Sequence, residues 1–143
     1  MQLIGIDLGE RRIGIAVSDA SATLARPLRT IERDRSDDLA VRGLLDAIAA
    51  LNAEDEVGGV VVGWPTHLDG TASDQTARVR KMVDLLGAKL SIPIVLQDER
   101  LSSHEAEERL ALHERDWRKR KAKLDAASAA VILQDYLDAH SQK

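Results

Sequence analysis

Runs of apolar residues separated by short polar segments divide the chain into strands and helices. Two nearly continuous apolar runs, Leu3 to Ile6 and Ile13 to Val17, are typical of buried strands. The residues from Leu8 to Arg12 would form the turn between them, and a third short strand is predicted from Pro27 to Ile31. The chain should therefore open with a meander of three strands.

Helix and strand then alternate. Ser36 can cap a first helix, because apolar residues follow it at spacings of three and four: Val41, Leu44, Leu45, Ile48 and Leu51. The apolar run from Val57 to Gly63 predicts a central strand that is covered on both faces. A right-handed crossover through the first helix would place this strand parallel to the first strand and beside it.

The second half of the chain repeats the pattern. Ser73 can cap a second helix, whose apolar face would hold Val79, Met82, Val83, Leu86 and Leu90. The last buried strand is predicted from Ile92 to Leu96. Ser102 and Glu105 form a capping box for a third helix, and a final alanine-rich helix is predicted from Leu124 to Ala139.

Composition limits the class of protein. With 143 residues, 44% of them hydrophobic and 31% charged, the chain is expected to form one domain over residues 1–138 with a short tail at 139–143. No apolar stretch approaches the roughly 20 residues that span a bilayer, and the N-terminus enters a strand without a signal peptide. The chain has no cysteine, so thiolate chemistry and disulfides are excluded. These features predict a cytoplasmic protein with no membrane partner.

One segment carries a charge opposite to the net charge of -4. Arg115 to Lys123 holds six basic residues and one aspartate. Such a segment is either a solvated surface or a phosphate-backbone contact, and the contact would use Arg118, Lys119, Arg120 and Lys121. Aromatic residues make up only 2% of the chain, which argues against a stacking platform, although Trp64 and Trp117 remain isolated candidates for a stacked base.

Carboxylates follow the ends of the predicted strands. Asp7 ends the first apolar run, Asp98 and Glu99 end the last strand, and Asp125 lies in the first turn predicted for the final helix. A buried carboxylate is costly unless a cation or several donors meet it. Asp7 could instead cap the hairpin turn, and Asp125 could be a first-turn acid that the helix dipole favours. If the acids converge, oxygen ligands select Mg²⁺ or Mn²⁺, and two such ions can clamp a phosphodiester.

Four sequence blocks resemble one known family. They are GIDLGERRIGIAVSD from Gly5, VVGWPTHLDG from Val61, DERLSS from Asp98 and LDAASAAVILQDYL from Leu124. In this order and at these spacings, the chain resembles the YqgF (RuvX) family, which is described as pre-16S rRNA nucleases or as Holliday junction resolvase-like proteins. The resemblance implies an α/β, RNase H-like fold: a five-stranded mixed sheet of order 3-2-1-4-5, flanked by helices.

The resemblance also implies a nuclease with an acidic triad of Asp7, Glu99 and Asp125. Asp98 stands in the same DER motif as Glu99, and Glu99 is preferred because its longer side chain reaches further from the strand end. Asp7 would then bridge two ions. Among the basic residues, Arg100 suits a phosphate oxygen or an ion pair with Asp98. Arg11 and Arg12 would meet phosphate or remain solvated in the hairpin turn.

The resemblance leaves substrate and partners open. Structured RNA, most of all precursor ribosomal RNA, is favoured over branched DNA, because a four-way junction needs two symmetric active sites and no strong dimerisation stripe stands out. A monomer or a weak homodimer is expected, with ribosomal partners conceivable. Trp64 and His67 depart from the commonest family wording of their loop, which leaves that loop's substrate contacts open.

Two other classes compete with a nuclease. The motif IGIDLG at Ile4 resembles the first phosphate loop of the actin-like, sugar kinase and Hsp70 ATPases, but the chain lacks a second lobe and a second phosphate loop. A binding module with a vestigial acidic site is the other alternative, and the complete set of three acids argues against it.

Overall fold

The computed structural model describes residues 1–9, 11–33, 36–64, 74–98 and 117–140, without the side chains of 74, 75 and 117–123. The elements along the chain are β1 (Gln2–Leu8), β2 (Arg12–Ser18), β3 (Ala25–Glu32), α1 (Asp37–Glu54), β4 (Val57–Trp64), α2 (Asp74–Gly87), β5 (Ile94–Asp98) and α3 (Trp117–His140). None of the helices in these ranges is long and apolar enough to cross a membrane.

The five strands form one mixed sheet in the order β3-β2-β1-β4-β5, which confirms the predicted order. The first three strands pair antiparallel, whereas β4 runs parallel to both β1 and β5. In this register Ile6 lies opposite Val62, so the C-terminal ends of β1 and β4 share one edge of the sheet. This edge is where ligands of open α/β sheets bind.

The two faces of the sheet bury different kinds of side chain. Large aliphatic residues such as Ile4, Ile6 and Val62 pack with α1 and α2 in the larger core cluster. The opposite face contributes small residues, among them Ala16, and packs against the buried stripe of α3. Because side chains alternate along a strand, Leu3, Gly5 and Asp7 of β1 all lie on the α3 face.

Several predicted bounds change. β5 begins at Ile94 instead of Ile92, since Pro93 has no N–H to donate to the ladder, although its carbonyl accepts from the Val60 N–H at 3.0 Å. α2 ends at Gly87, which leaves Leu90 beyond the helix. Ser36 caps α1 as predicted, by accepting from the backbone N–H groups of Asp38 and Leu39. The predicted caps at Ser73 and Ser102 and the loop Thr66–Gly70 lie outside the described residues.

Candidate active site

Asp7 is a buried carboxylate at the C-terminal edge of the sheet. Its residue is 9% exposed, and its cross-strand partner on β2 is Gly14. It lies on the face that packs against α3, next to the end of β4. Its backbone carbonyl accepts from the Gly9 N–H at 3.2 Å. Asp7 is the penultimate residue of β1, which ends at Leu8 and not before the predicted turn, and its predicted position near the end of a core strand is confirmed.

Glycines on β1 and β2 let α3 lie directly on the strand pair that carries Asp7. A Cβ at Gly5 would lie 2.8 Å from the carbonyl oxygen of Ala129 and 2.8 Å from Cβ of Leu133. A Cβ at Gly14 would overlap the backbone carbonyl of Asp125. The absence of side chains at these positions therefore brings the helix backbone down to the sheet at the level of Asp7.

Asp125 projects from the inner side of α3. It precedes the fully buried residues Ala129 and Ile132 by four and seven positions, so all three share one helical face. Its Oδ1 would be 3.8 Å from a Cβ placed at Gly9, just past the end of β1. First strand and last helix thus bring two carboxylates to the same edge of the sheet.

The environment of Asp125 is partly apolar and partly charged. Its Oδ2 pairs with Nε of Arg12 at 3.1 Å, and the side chains of Arg12 and Asp125 are 40% and 24% exposed. Burial raises the pKa of Asp125 above its ordinary value, and the charge of Arg12 opposes that rise. Arg12 therefore neutralises a carboxylate of the candidate site. The sequence predicted that Arg12 binds phosphate or remains solvated, and it did not predict this ion pair.

The start of α3 excludes one interpretation of Asp125, that of an acid in the first turn of the helix. The helix begins at Trp117 and not at Leu124, so its first turn contains no acid and Asp125 lies more than two turns inside. The dipole of a helix acts within its first turn, so the alternative of a first-turn acid is wrong. The basic segment extends the helix because Lys, Arg and Ala are strong helix formers, although it carries no apolar stripe that would predict burial.

The other predicted site residues are distributed as follows. Asp98 ends β5 and pairs with Trp64, on the sheet face opposite to that of Asp7. Glu99 and Arg100 lie outside the described residues, and Arg11 is exposed between β1 and β2. Arg118, Lys119, Arg120 and Lys121 occupy the first turns of α3, where the backbone alone is described. Within the described ranges, no three acidic or imidazole side chains are close enough to hold a metal ion together.

A polar network supports the turn after Asp7, and it was not predicted. Nη1 of Arg33 donates to the carbonyl of Gly9 at 3.1 Å, while Nη2 donates to Asp37 at 2.9 Å. Lys81 of α2 adds an ion pair with Asp37 at 3.4 Å. The hydrogen bond from Arg33 holds the pKa of Asp37 below its ordinary value, and Lys81 adds to the effect. The sequence signal was limited to a basic residue placed four positions before an acid at the start of a helix.

The sequence matches a known family along nearly all of its length. A family model described as RuvX, Holliday junction resolvase, matches residues 1–139. The chain belongs to the RuvX family. One relative, from Thermoanaerobacter pseudethanolicus, is 38% identical over the whole of both chains. Another, from Chloroflexus aggregans, is 42% identical and covers 96% of this RuvX-family chain and 93% of its own length. Both are named as candidate pre-16S rRNA nucleases.

Solved structures establish the fold of this RuvX-family protein. RuvC of Thermus thermophilus, solved with a Holliday junction substrate, aligns with a TM-score of 0.59 at 18% identity, covering 99% of this chain and 96% of RuvC. The fowlpox virus resolvase, solved with Holliday junction DNA, gives a TM-score of 0.59 at 11% identity, covering 99% and 100%. The mixed sheet and its helices are therefore the RNase H-like fold of the RuvC-type resolvases, as predicted.

Proposed function

We propose that this protein is a divalent-metal-dependent nuclease that hydrolyses phosphodiester bonds in precursor 16S rRNA. The observation that carries the proposal is the convergence of two carboxylates on one sheet edge, Asp7 from the first strand and Asp125 from the last helix. Membership of the RuvX family and the names of its relatives support the same activity.

The donor set suits a hard divalent cation. Asp7 and Asp125 offer carboxylate oxygens at a partly desolvated edge, and the raised pKa of Asp125 reflects burial without full compensation by Arg12. Oxygen-rich sites of this kind favour Mg²⁺ or Mn²⁺. A bound cation would neutralise the carboxylates, polarise phosphate oxygens and make water more acidic. Arg12 would then be available to hold a phosphate oxygen in place.

Glu99 is proposed as the third ligand, in preference to Asp98. Side chains two positions apart on a strand share a face. Asp98 shares the face of its partner Trp64, whereas Gln97 pairs with Gly63 on the face that carries Asp7. A strand continued by one residue would place Glu99 on the face of Gln97, which supports the preference for Glu99 that the length of its side chain suggested.

The basic start of α3 is proposed as part of the approach to the site. Its cationic residues, from Arg118 to Lys121, lie on the same helix as Asp125 and precede it by one to two turns. A strand that reaches the carboxylates could therefore pass cationic side chains of that helix.

The deciding experiment is cleavage of an end-labelled 5′ leader of precursor 16S rRNA by the purified protein in Mg²⁺, in Mn²⁺ and in EDTA. We expect a metal-dependent product that Asp7→Asn loses by at least about 100-fold, because metal ligation contributes several kcal/mol to the transition state and each 1.36 kcal/mol is a factor of ten. Asp46→Asn, an exposed acid on α1, is the matched control and should cleave like wild type.

Each contrary outcome has a definite meaning. Folded wild-type protein that leaves the RNA intact but cuts a four-way DNA junction would replace the substrate and keep the chemistry. Protein that cuts neither would favour a binding module with a vestigial site. Cleavage that persists in EDTA would refute the metal dependence.

A further inference from the structure

Trp64 and Arg80 form a contact that the candidate active site does not use. The guanidinium of Arg80 lies over the indole, with Cζ 5.3 Å from the ring centroid. Trp64 is the last residue of β4 and packs against the larger core cluster, whereas Arg80 is exposed on α2. A partly buried aromatic ring thus holds a charged group in place at the protein surface.

This pair lies at the same sheet edge as the carboxylates but on the other face. Because Ile6 is opposite Val62 in the parallel pair, Trp64 is next to the end of β1. Its side chain shares the face of Val62, towards α1 and α2, whereas Asp7 faces α3. Arg80 and the carboxylates are therefore placed to contact different parts of a polymer that crosses this edge.

Arg80 differs from its neighbouring cations in the part of the chain that the structure describes. No acidic side chain of the described ranges forms an ion pair with Arg80, whereas the neighbouring cations Lys81 and Arg33 both bind Asp37. A guanidinium that lies over an aromatic ring keeps its N–H donors in its own plane, where they fit the oxygens of a phosphate. The contact therefore presents a pre-oriented phosphate donor.

A purely structural role does not require this contact. α2 is already held to the sheet by four buried apolar residues: Val79, Met82, Val83 and Leu86. The guanidinium lies over one face of Trp64, the ring that was a candidate for a stacked base.

We propose that Arg80, oriented by Trp64, binds a backbone phosphate of the RNA strand on the side of the sheet edge away from Asp7 and Asp125. This inference rests on the proposed nuclease function and adds a substrate contact to the same site. Arg80 is a binding residue and Trp64 is its positioning residue. The contact is independent of base identity, since it uses only the sugar-phosphate backbone.

The test measures RNA binding in the Asp7→Asn background, where the 5′ leader of precursor 16S rRNA is not consumed, between 50 and 200 mM KCl. Arg80→Ala should weaken binding roughly three- to tenfold and reduce the slope of log K against log salt by about 0.7 to 0.9, the loss of one phosphate contact. Lys89→Ala removes the same charge from an exposed residue that follows α2, near the opposite edge, and should change neither quantity.

Two further variants separate position from charge. Trp64→Leu should weaken binding while it retains most of the salt slope, because Arg80 keeps its charge but loses its orientation. Arg80→Lys should behave in the same way. The double variant Trp64→Leu with Arg80→Ala should bind no more weakly than Arg80→Ala alone, since the two residues act as a unit.

Folding is checked by the thermal midpoint of every variant. A folded Arg80→Ala protein with the Kd and slope of the Lys89→Ala control would overturn the contact, and additive effects of the Trp64 and Arg80 variants would overturn the positioning role. Leader cleavage by wild type together with an unchanged Arg80→Ala slope would leave the nuclease intact. RNA that the Asp7→Asn protein does not bind, and that wild type does not cut, would overturn both proposals.

Discussion

Arg33 shows how a single side chain connects the candidate site to the rest of the protein. Its guanidinium binds the carbonyl of Gly9 on one side and the carboxylate of Asp37 on the other. Its backbone N–H also donates to the carbonyl of Arg11 at 2.9 Å. Arg33 therefore links Gly9 and Arg11, which follow Asp7, to the start of α1.

The charge of Asp37 should contribute to stability in a pH-dependent way. Its folded pKa is lowered, so the contribution is fully present above the unfolded pKa of about 3.8 and is lost as the pH falls through the folded value. Asp37→Asn should cost about 0.5–1 kcal/mol at pH 7, because the pair is partly exposed, and the difference from wild type should shrink towards pH 3.

Thermal unfolding at pH 7 and at pH 3 checks this expectation. Asp46→Asn, on the exposed side of the same helix, should stay within about 0.5 kcal/mol of wild type at both pH values. A deficit of Asp37→Asn that is equal at pH 7 and pH 3 would show that its charge is not responsible.

At the scale of elements, α3 can approach the sheet closely because Gly5 of β1 and Gly14 of β2 have no side chains. Gly14→Ala would place a methyl group against the carbonyl of Asp125, so either α3 or the strand must move. We expect a loss of about 3 kcal/mol or more, since overpacking against backbone cannot be relieved by a rotamer change. Cleavage should fall with it, because the same shift displaces Asp125.

Gly43→Ala on α1 is the matched control for this prediction. Its Cβ would meet only Cδ1 of Ile31, at 3.8 Å, which is an ordinary contact. An alanine there should stabilise the helix by up to about 1 kcal/mol. Chemical denaturation of both variants compares them, and a Gly14→Ala protein as stable as Gly43→Ala would refute the close approach of α3.

The elements that could be predicted are those whose buried residues form a recognisable pattern of apolar positions along the chain. β1, β2 and β4 are continuous apolar runs, and α1 combines a serine cap with apolar residues at helical spacing. The start of α3 was missed because its first turns are basic and give no apolar stripe. The start of β5 was predicted two residues too early, because Ile92 continues the apolar run although Pro93 has no N–H to donate to the ladder.

The same distinction applies to the candidate site. Asp7 could be identified because a carboxylate at the end of an apolar run is locally conspicuous. The contact of Asp125 with Gly14 joins residues at opposite ends of the chain, and the contact of Arg80 with Trp64 depends on which side of α2 faces the sheet. Spacing along the chain does not determine such contacts; packing between elements does.

At the scale of the whole molecule, metal binding should couple to unfolding. An ion that binds only the folded state stabilises it by RT ln(1 + [L]/Kd), about 1.4 kcal/mol at ten times Kd. For a chain of this size the midpoint should rise by roughly 3–6 °C. Asp7→Asn should lose this response, and in EDTA it should unfold at or above the wild-type temperature, because one negative charge of the site is gone.

A differential scan of wild type and Asp7→Asn with and without Mg²⁺ makes the comparison, with Mn²⁺ as a second ion. Ca²⁺ at the same concentration tests whether the response needs a small ion. An equal rise for wild type and Asp7→Asn would mean that the ion binds elsewhere on the protein.

The position of Asp125 on the last helix has a consequence for biosynthesis. Domains emerge from the ribosome N-terminal end first, and contacts between distant parts of the chain form late. The nascent chain exposes Asp7 early, but its companion carboxylate reaches the sheet only when α3 has been made and released. The site that we propose at Asp7 and Asp125 would therefore be incomplete until α3 has left the ribosome, and the order of synthesis itself would delay the onset of cleavage.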